Sequence, residues 1–447
     1  MNREIDNIIK QAISFKDEDL KEYQDCLMIG GGTEGPTLLK GEGVRVTDIY
    51  GKTYIDCTSQ GWTLNLGYSN KEINEIVCQQ MDYLIHAHQP FNTPIRYMLA
   101  KKLVEISPPD INRVSFTVGG ALAVEAALKL AIINKPNATQ FVSLYDAYHG
   151  TSFMTIGASW IATKSTGEYK GGAKFLPFLK DFIRIPNPYC YRCPFNLEYP
   201  DCEIYCADVA KETIKRGSNG PVSAILIEPL QGSGGQIPCP KEYLERIRKI
   251  CDEFEITLIF DEIQTAFGRI GAMSAAEYFG VTPDIMVVGK SMGAGFPIGA
   301  VLLNKKLKGF EPTGEELHTF ANNQIAQIAA LKQIEIILRD NILDHVKKMN
   351  TYFMKKLNDF YNEFEQIGDI RGPGLHIGVE FVRDRKTKEP AVKETIKIRD
   401  LGLKKGVIFG LGGAWRNVLK IKPPLIINEK EADVVLEVLH SCIKEVF

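Results

Sequence analysis

Pro283-Asp-Ile-Met-Val-Val-Gly-Lys290 is an apolar run that ends on a lysine and opens into a glycine-rich loop, Ser291-Met-Gly-Ala-Gly-Phe-Pro297. A short, continuously apolar run of this kind reads as a strand of a sheet buried on both faces. A lysine at the end of such a strand loses hydration, which lowers its pKa and frees the neutral amine needed for a Schiff base. Two other runs repeat the arrangement: Thr257-Leu-Ile-Phe-Asp261 ends on Asp261, and Ser223-Ala-Ile-Leu-Ile-Glu228 ends on Glu228. In an open parallel sheet ligands bind outside the carboxyl ends of the strands, so Glu228, Asp261 and Lys290 are expected to converge on one crevice.

Between Glu228 and Asp261 lies Lys241-Glu-Tyr-Leu-Glu-Arg-Ile-Arg-Lys-Ile-Cys-Asp-Glu-Phe254, with Leu244, Ile247, Cys251 and Phe254 on one helical face. Strand, helix and strand make a βαβ unit, and the fold class that follows is α/β, with a mostly parallel sheet covered by helices on both faces. Upstream, Phe116-Thr-Val-Gly119-Gly120-Ala121 leads from a strand end through two glycines into a helix, where bare backbone N–H groups form an anion site matched to a phosphate. Arg45 to Asp56 alternates polar and apolar residues around Tyr50-Gly51 and reads as a hairpin of a smaller domain. A helix is expected from about Asn323 to Arg339, and short strands at Gly374–Phe381 and Val418–Ile421. The chain divides accordingly into residues 1–60, an N-terminal arm and part of the small domain; 61–322, the large cofactor-binding domain; and 323–447, the C-terminal part of the small α/β domain.

Fifty-three basic residues against 55 acidic ones leave a formal charge of −2, so neither nucleic acid nor an anionic membrane is an expected partner. Small molecules are. No apolar run reaches the roughly 18 residues of a membrane helix, and the N-terminus carries charge where a signal peptide needs an apolar core. A cytoplasmic location is expected, with most of the ten cysteines reduced.

Leu258-Ile-Phe-Asp261-Glu-Ile-Gln264-Thr-Ala-Phe-Gly268-Arg269, followed by Gly289-Lys290-Ser-Met-Gly-Ala-Gly-Phe-Pro-Ile-Gly299, resembles the signature of the class III aminotransferases, pyridoxal-phosphate enzymes of fold type I. The resemblance extends from Ile55-Asp56 through Leu64-Asn-Leu-Gly67 to Pro423-Pro-Leu425. It implies that Lys290 forms the Schiff base with pyridoxal 5'-phosphate and then shuttles a proton, that Asp261 binds the pyridine nitrogen, that Gln264 contacts the ring hydroxyl and that Ile263 packs on one ring face. Tyr148, in Tyr145-Asp-Ala-Tyr148-His149-Gly150, would stack on the other face with His149 in support, and Gly120 and Ala121 would hold the phosphate. His318-Thr319-Phe320 is similar to the segment whose threonine reaches the phosphate of the neighbouring subunit, implying a homodimer with shared active sites.

Two departures bear on the reaction. Gly119-Gly-Ala-Leu-Ala-Val-Glu125 replaces the family's common Ser-Gly-Ser-Glu-Ala-Asn-Glu, removing hydroxyls from the phosphate cup, and is similar to the lysine ε-aminotransferases, whose donor is an ω-amine. In Glu228-Pro-Leu-Gln-Gly-Ser233-Gly-Gly235, Ser233 stands where many members carry a glutamate that pairs with an arginine, and that arginine is here Lys420. A lysine cannot offer the bidentate fork that recognises a carboxylate. Arg416 either takes over that role or is a surface residue, and Trp62 either narrows the substrate pocket or belongs to the core. The expected activity is amino transfer from an amino acid or ω-amine to a keto acid. A β-eliminating ammonia- or phospho-lyase and a racemase or epimerase are alternatives on the same scaffold, and a non-catalytic pyridoxal-phosphate-binding regulator is a third, without any helix-turn-helix segment to support it.

Cys190-Tyr-Arg-Cys193 and Cys202-Glu-Ile-Tyr-Cys206 gather four cysteines in a proline-rich stretch. Their spacing suits a structural zinc or an iron–sulfur cluster, against the alternative of buried or locally paired thiols.

Overall fold

The computed structural model describes residues 6–24, 26–28, 35–163, 170–180 and 182–447. Every residue of Val222–Ile227 and of Thr257–Asp261 is buried, which is why these strands are continuously apolar instead of alternating. They belong to a seven-stranded sheet whose strands are, in chain order, β1 (Ile111–Thr117), β2 (Gln140–Leu144), β3 (Phe182–Ile185), β4 (Val222–Ile227), β5 (Thr257–Asp261), β6 (Ile285–Val288) and β7 (Gly299–Asn304). In space the order is β1-β7-β6-β5-β4-β2-β3. From β6 through β5, β4 and β2 to β3 each neighbour runs parallel, whereas β7 is antiparallel to both β6 and β1.

Alternate residues of these strands feed two cores. Ala224, Leu226, Ile259 and Val287 pack with Ala123, Val124, Ala127 and Leu130 of the helix Gly120–Asn134. Ile225, Ile227, Leu258 and Phe260 pack with Leu244, Ile247 and Cys251 of the helix Lys241–Glu253, the face expected from its spacing. The sheet is thus covered on both sides, with the carboxyl ends of β4, β5 and β6 opening at one edge.

The expected hairpin is present: Arg45–Asp48 pairs antiparallel with Thr53–Asp56. Val407–Ile408 adds to it in parallel, so one four-stranded sheet combines strands from both ends of the chain. A second four-stranded sheet, all antiparallel, is built from Ile367–Arg371, Ile377–Phe381, Val418–Ile421 and Gly410–Gly412. The helix Gln324–Arg339 starts one residue after its expected position, capped by the Asn323 side chain. It packs on Lys71–Met81 and Pro94–Glu105, leans on the turn at Lys290 and also meets the helix Ile342–Glu363. Of the N-terminal arm, the helix Asn7–Ile13 buries no side chain.

Arg269 joins these parts. Its side chain is 1 % exposed and donates to the carbonyls of Leu375 (3.0 Å) and Pro423 (2.6 Å) and to Asn65 Oδ1 (2.7 Å). Burial lowers its guanidinium to about 9, with Asp56 opposing. Arg269→Met should leave three buried acceptors unsatisfied, at about 1–3 kcal/mol each. A urea titration is expected to show the midpoint falling at unchanged m-value, a loss of at least about 3 kcal/mol; an unmoved midpoint would refute the joining role.

Candidate active site

Glu228 follows directly on β4, Asp261 is the last residue of β5, and Lys290 comes two residues after β6. The three meet at a cavity of about 200 Å³ lined by Gly120, Ala121, Tyr148, His149, Gly150, Thr151, Glu228, Asp261, Ile263, Gln264 and Lys290. Nine of these are residues the sequence reading singles out; Gly150 and Thr151, the next two along from His149, are additions. Lys290 sits in left-handed backbone, φ 46°, at the start of a single tight turn, Lys290–Gly293. For a non-glycine residue this costs on the order of 1–2 kcal/mol, held in place by the surrounding fold.

Two glycines are required by close approach. A Cβ on Gly120 would lie 2.8 Å from Ile263 Cδ1, and one on Gly232 would lie 2.0 Å from Gln264 Oε1. The first keeps the amides at the start of the helix Gly120–Asn134 bare beside Ile263, the second lets the Gln264 amide fill the space over the Ser233 turn.

Asp261 is 5 % exposed and held on both oxygens: Oδ1 accepts the Ile263 N–H at 3.1 Å, and Oδ2 faces His149 Nδ1 at 2.8 Å. Opposite a carboxylate, Nδ1 carries the proton, so His149 donates and orients Asp261 from behind. Glu228 accepts the N–H of Tyr148 at 2.9 Å and of Gly232 at 3.0 Å, bracing both sides of the cavity. Its burial raises its carboxyl above the ordinary glutamate range, with His149 opposing. Burial lowers the Lys290 ammonium below the usual lysine value, against the pull of Asp261 and Glu228 and with the help of Lys420. A neutral amine is therefore available at a lower pH than in a free lysine.

The residues expected at the substrate surround the cavity without lining its floor. Ser233 is 2 % exposed, and its carbonyl accepts the Gly413 N–H. Trp62 ends a left-handed run, Ser59, Gln60, Gly61 and Trp62 all having positive φ. Its indole has three lysine amines around it, Lys290 at 5.5 Å, Lys420 at 5.1 Å and Lys422 at 4.2 Å from the ring centroid. Lys420 is 1 % exposed, and Arg416 is half-buried in left-handed backbone. Thr319 is exposed, outside the cavity.

Lys422 is the residue that the sequence reading missed. Its Nζ donates to Gln264 Oε1 at 2.9 Å with no exposed surface. The signal was the period of two in Val418-Leu-Lys420-Ile-Lys422, which sends both lysines to one face of the strand.

The cysteine expectation is corrected. Cys190, Cys193, Cys202 and Cys206 do line one small apolar pocket with Phe195 and Tyr199. Among the described residues, however, no group of three or more His, Cys, Asp or Glu is arranged to hold a metal ion, so neither zinc nor an iron–sulfur cluster is supported. All four are free thiols. Burial, and then the neighbouring thiols, push Cys190 up to about 11 and Cys206 up to about 12, away from the thiolate that a metal would need.

The cavity offers an amine for an aldehyde, a carboxylate for a ring cation, an aromatic and an aliphatic wall, and helix-start amides for a phosphate. These donors fit pyridoxal phosphate. The sequence profile of the family Aminotransferase class-III matches residues 34–443. The chain is 33% identical over 430 residues to an acetylornithine aminotransferase of Methanothermobacter thermautotrophicus, covering 96% of this chain and 99% of that one. It is 35% identical over 415 residues to a leucine/methionine racemase of Thermococcus litoralis, covering 91% and 90%. Among solved structures, an aminotransferase of Bacillus anthracis superposes with a TM-score of 0.88 at 27% identity, covering 99% of this chain and all of that one.

Proposed function

Because this chain belongs to the class III aminotransferases, enzymes that use pyridoxal phosphate, we propose that the cavity at Lys290 carries out amino transfer from an amino acid or ω-amine to a keto acid. The observation that carries this reading is the meeting of the Lys290 amine, lowered by burial, with the His149-braced Asp261 carboxylate. When bound, the cofactor supplies an aldehyde that condenses with amines and a ring that accepts electrons. Lys290 would hold it covalently, and its Nζ, when free, would serve as the base and acid that carries the substrate proton. Asp261 would favour a proton on the ring nitrogen through its opposite charge. The amides at Gly120 and Ala121 would hold the phosphate, Tyr148 and Ile263 would flank the ring, and Gln264 would contact its hydroxyl. Trp62, Ser233, Arg416 and Lys420 shape the approach of the substrate.

A homodimer is part of the proposal. Met81, Tyr83, Phe91 and Met98 are exposed, as are Leu317 and Phe320 beside Thr319. The two stretches are adjacent, since His86 bridges to Asn323 and its ring lies 5.3 Å from that of Phe320. Clustered exposed apolar side chains of this kind support an interface between chains. A cytoplasmic location is supported by ten free cysteines; among the described residues no helix is long and apolar enough to cross a membrane.

Racemisation is the second reading, favoured by the racemase relative. The test is the purified, cofactor-loaded protein with a panel of amines, with and without pyruvate or 2-oxoglutarate. Conversion that requires the keto acid is expected. Inversion of a chiral amino acid without acceptor would establish the racemase, and ammonia release without acceptor a lyase. Light scattering of the same sample is expected to give twice the 50.0 kDa chain mass.

A further inference from the structure

We propose that Lys422 is a positioning residue that fixes the Gln264 amide with its N–H side toward the ring hydroxyl of the bound cofactor. This rests on the cofactor reading above and adds to it a residue outside the motifs quoted for the resemblance.

Lys422 follows the strand Val418–Ile421 and is tied down on both sides, its N–H donating to the Cys57 carbonyl at 2.9 Å and its carbonyl accepting Ser59 Oγ at 2.8 Å. The side chain has no exposed surface, and its Nζ lies 4.2 Å from the Trp62 ring centroid and 2.9 Å from Gln264 Oε1. An amide has one acceptor and one donor end. Lys422 occupies the acceptor end, so the donor end is left for the cavity that Gln264 lines with Asp261 and Lys290. The amide is also confined from the other side, because Gly232 has no room for a Cβ beside it. The charges facing Lys422 are Lys420, Arg269 and Lys290, with Glu228 opposing them, and the unpartnered His376 ring lies close by.

An N–H donated to the ring hydroxyl stabilises its anion. The proton shared between that oxygen and the Lys290 nitrogen is then held less tightly and leaves at lower pH. Without Lys422 the amide is free to turn its carbonyl to the ring, and the proton is retained to higher pH.

The experiment is a pH titration of the visible absorbance of the cofactor-loaded protein, which reads this proton directly and not turnover. Lys422→Met is expected to raise the midpoint by roughly one pH unit, about tenfold in proton affinity. Gln264→Leu should raise it as much, and the double variant no further than Gln264→Leu alone, because the two act through one hydrogen bond. An unmoved midpoint in Lys422→Met, or shifts that add in the double variant, would overturn the assignment. Should Lys422→Met fail to fold, Lys422→Gln keeps a donor and is expected to stay at the wild-type midpoint; a shift as large as that of Gln264→Leu overturns the proposal. A wild-type protein that takes up no visible chromophore would overturn the cofactor reading itself, a result distinct from an unmoved midpoint.

Discussion

Replacing Lys290 by alanine is expected to lower turnover by roughly four orders of magnitude, the upper range for loss of a general acid–base group. The loss is this large because, among the described residues, no other amine lines the cavity. Lys422 donates to Gln264, and Lys420 lies 5.1 Å from the Trp62 ring without lining the cavity. The same variant should also lose the covalent hold on the cofactor. Borohydride treatment followed by mass spectrometry of the peptide containing residue 290 checks it: the adduct is expected on the wild type and absent from the variant. Small primary amines added to Lys290→Ala should restore part of the activity by entering the vacated space as bases. Turnover within tenfold of wild type would remove Lys290 from the mechanism.

Asp261→Asn is the second large effect. The substitution keeps an oxygen for the Ile263 N–H but places a neutral amide opposite His149 Nδ1. Breaking a buried charge pairing costs about 3–5 kcal/mol, and felt fully in the transition state this is a two- to nearly four-decade loss in kcat/KM. The titration of Lys290 carries a second sign. Asp261 raises the Lys290 pKa against the effect of burial, so its neutralisation lets that pKa fall further, and the pH at which Lys290 captures free cofactor should move down. Activity of Asp261→Asn within threefold of wild type would mean that no ring cation is paired there.

The frame of this site was legible because burial on both faces leaves an unmistakable trace in Ser223–Ile227, Thr257–Asp261 and Ile285–Val288, and because each run delivers its ionisable residue at the same end. What lies behind the first ring of residues was not. His149 reaches Asp261 across 112 positions, and nothing local marks that pairing. Lys422 was hidden differently: matching the position of an expected arginine drew the eye to Lys420, although the alternation of the strand presents both lysines alike. The four cysteines show the limit of spacing, which brought them to one pocket but could not say that they form no metal-holding group.

The small sheet that unites Thr53–Asp56 with Val407–Ile408 has a consequence for how the molecule comes into being. Cys57 exchanges backbone bonds with Ile408 and Lys422, Leu425 donates to Asn65, and Lys52 reaches the Lys404 carbonyl across 352 positions. A chain made from its N-terminus can assemble β1 to β7 early, since each strand finds partners within the large sheet. The hairpin at 45–56 must wait, its pairing edge open, until nearly the whole polypeptide has left the ribosome. The wall that Trp62 and Lys422 put behind Gln264 is therefore the last part to be assembled, and the order of synthesis makes a chemically complete pocket a property of the finished chain alone.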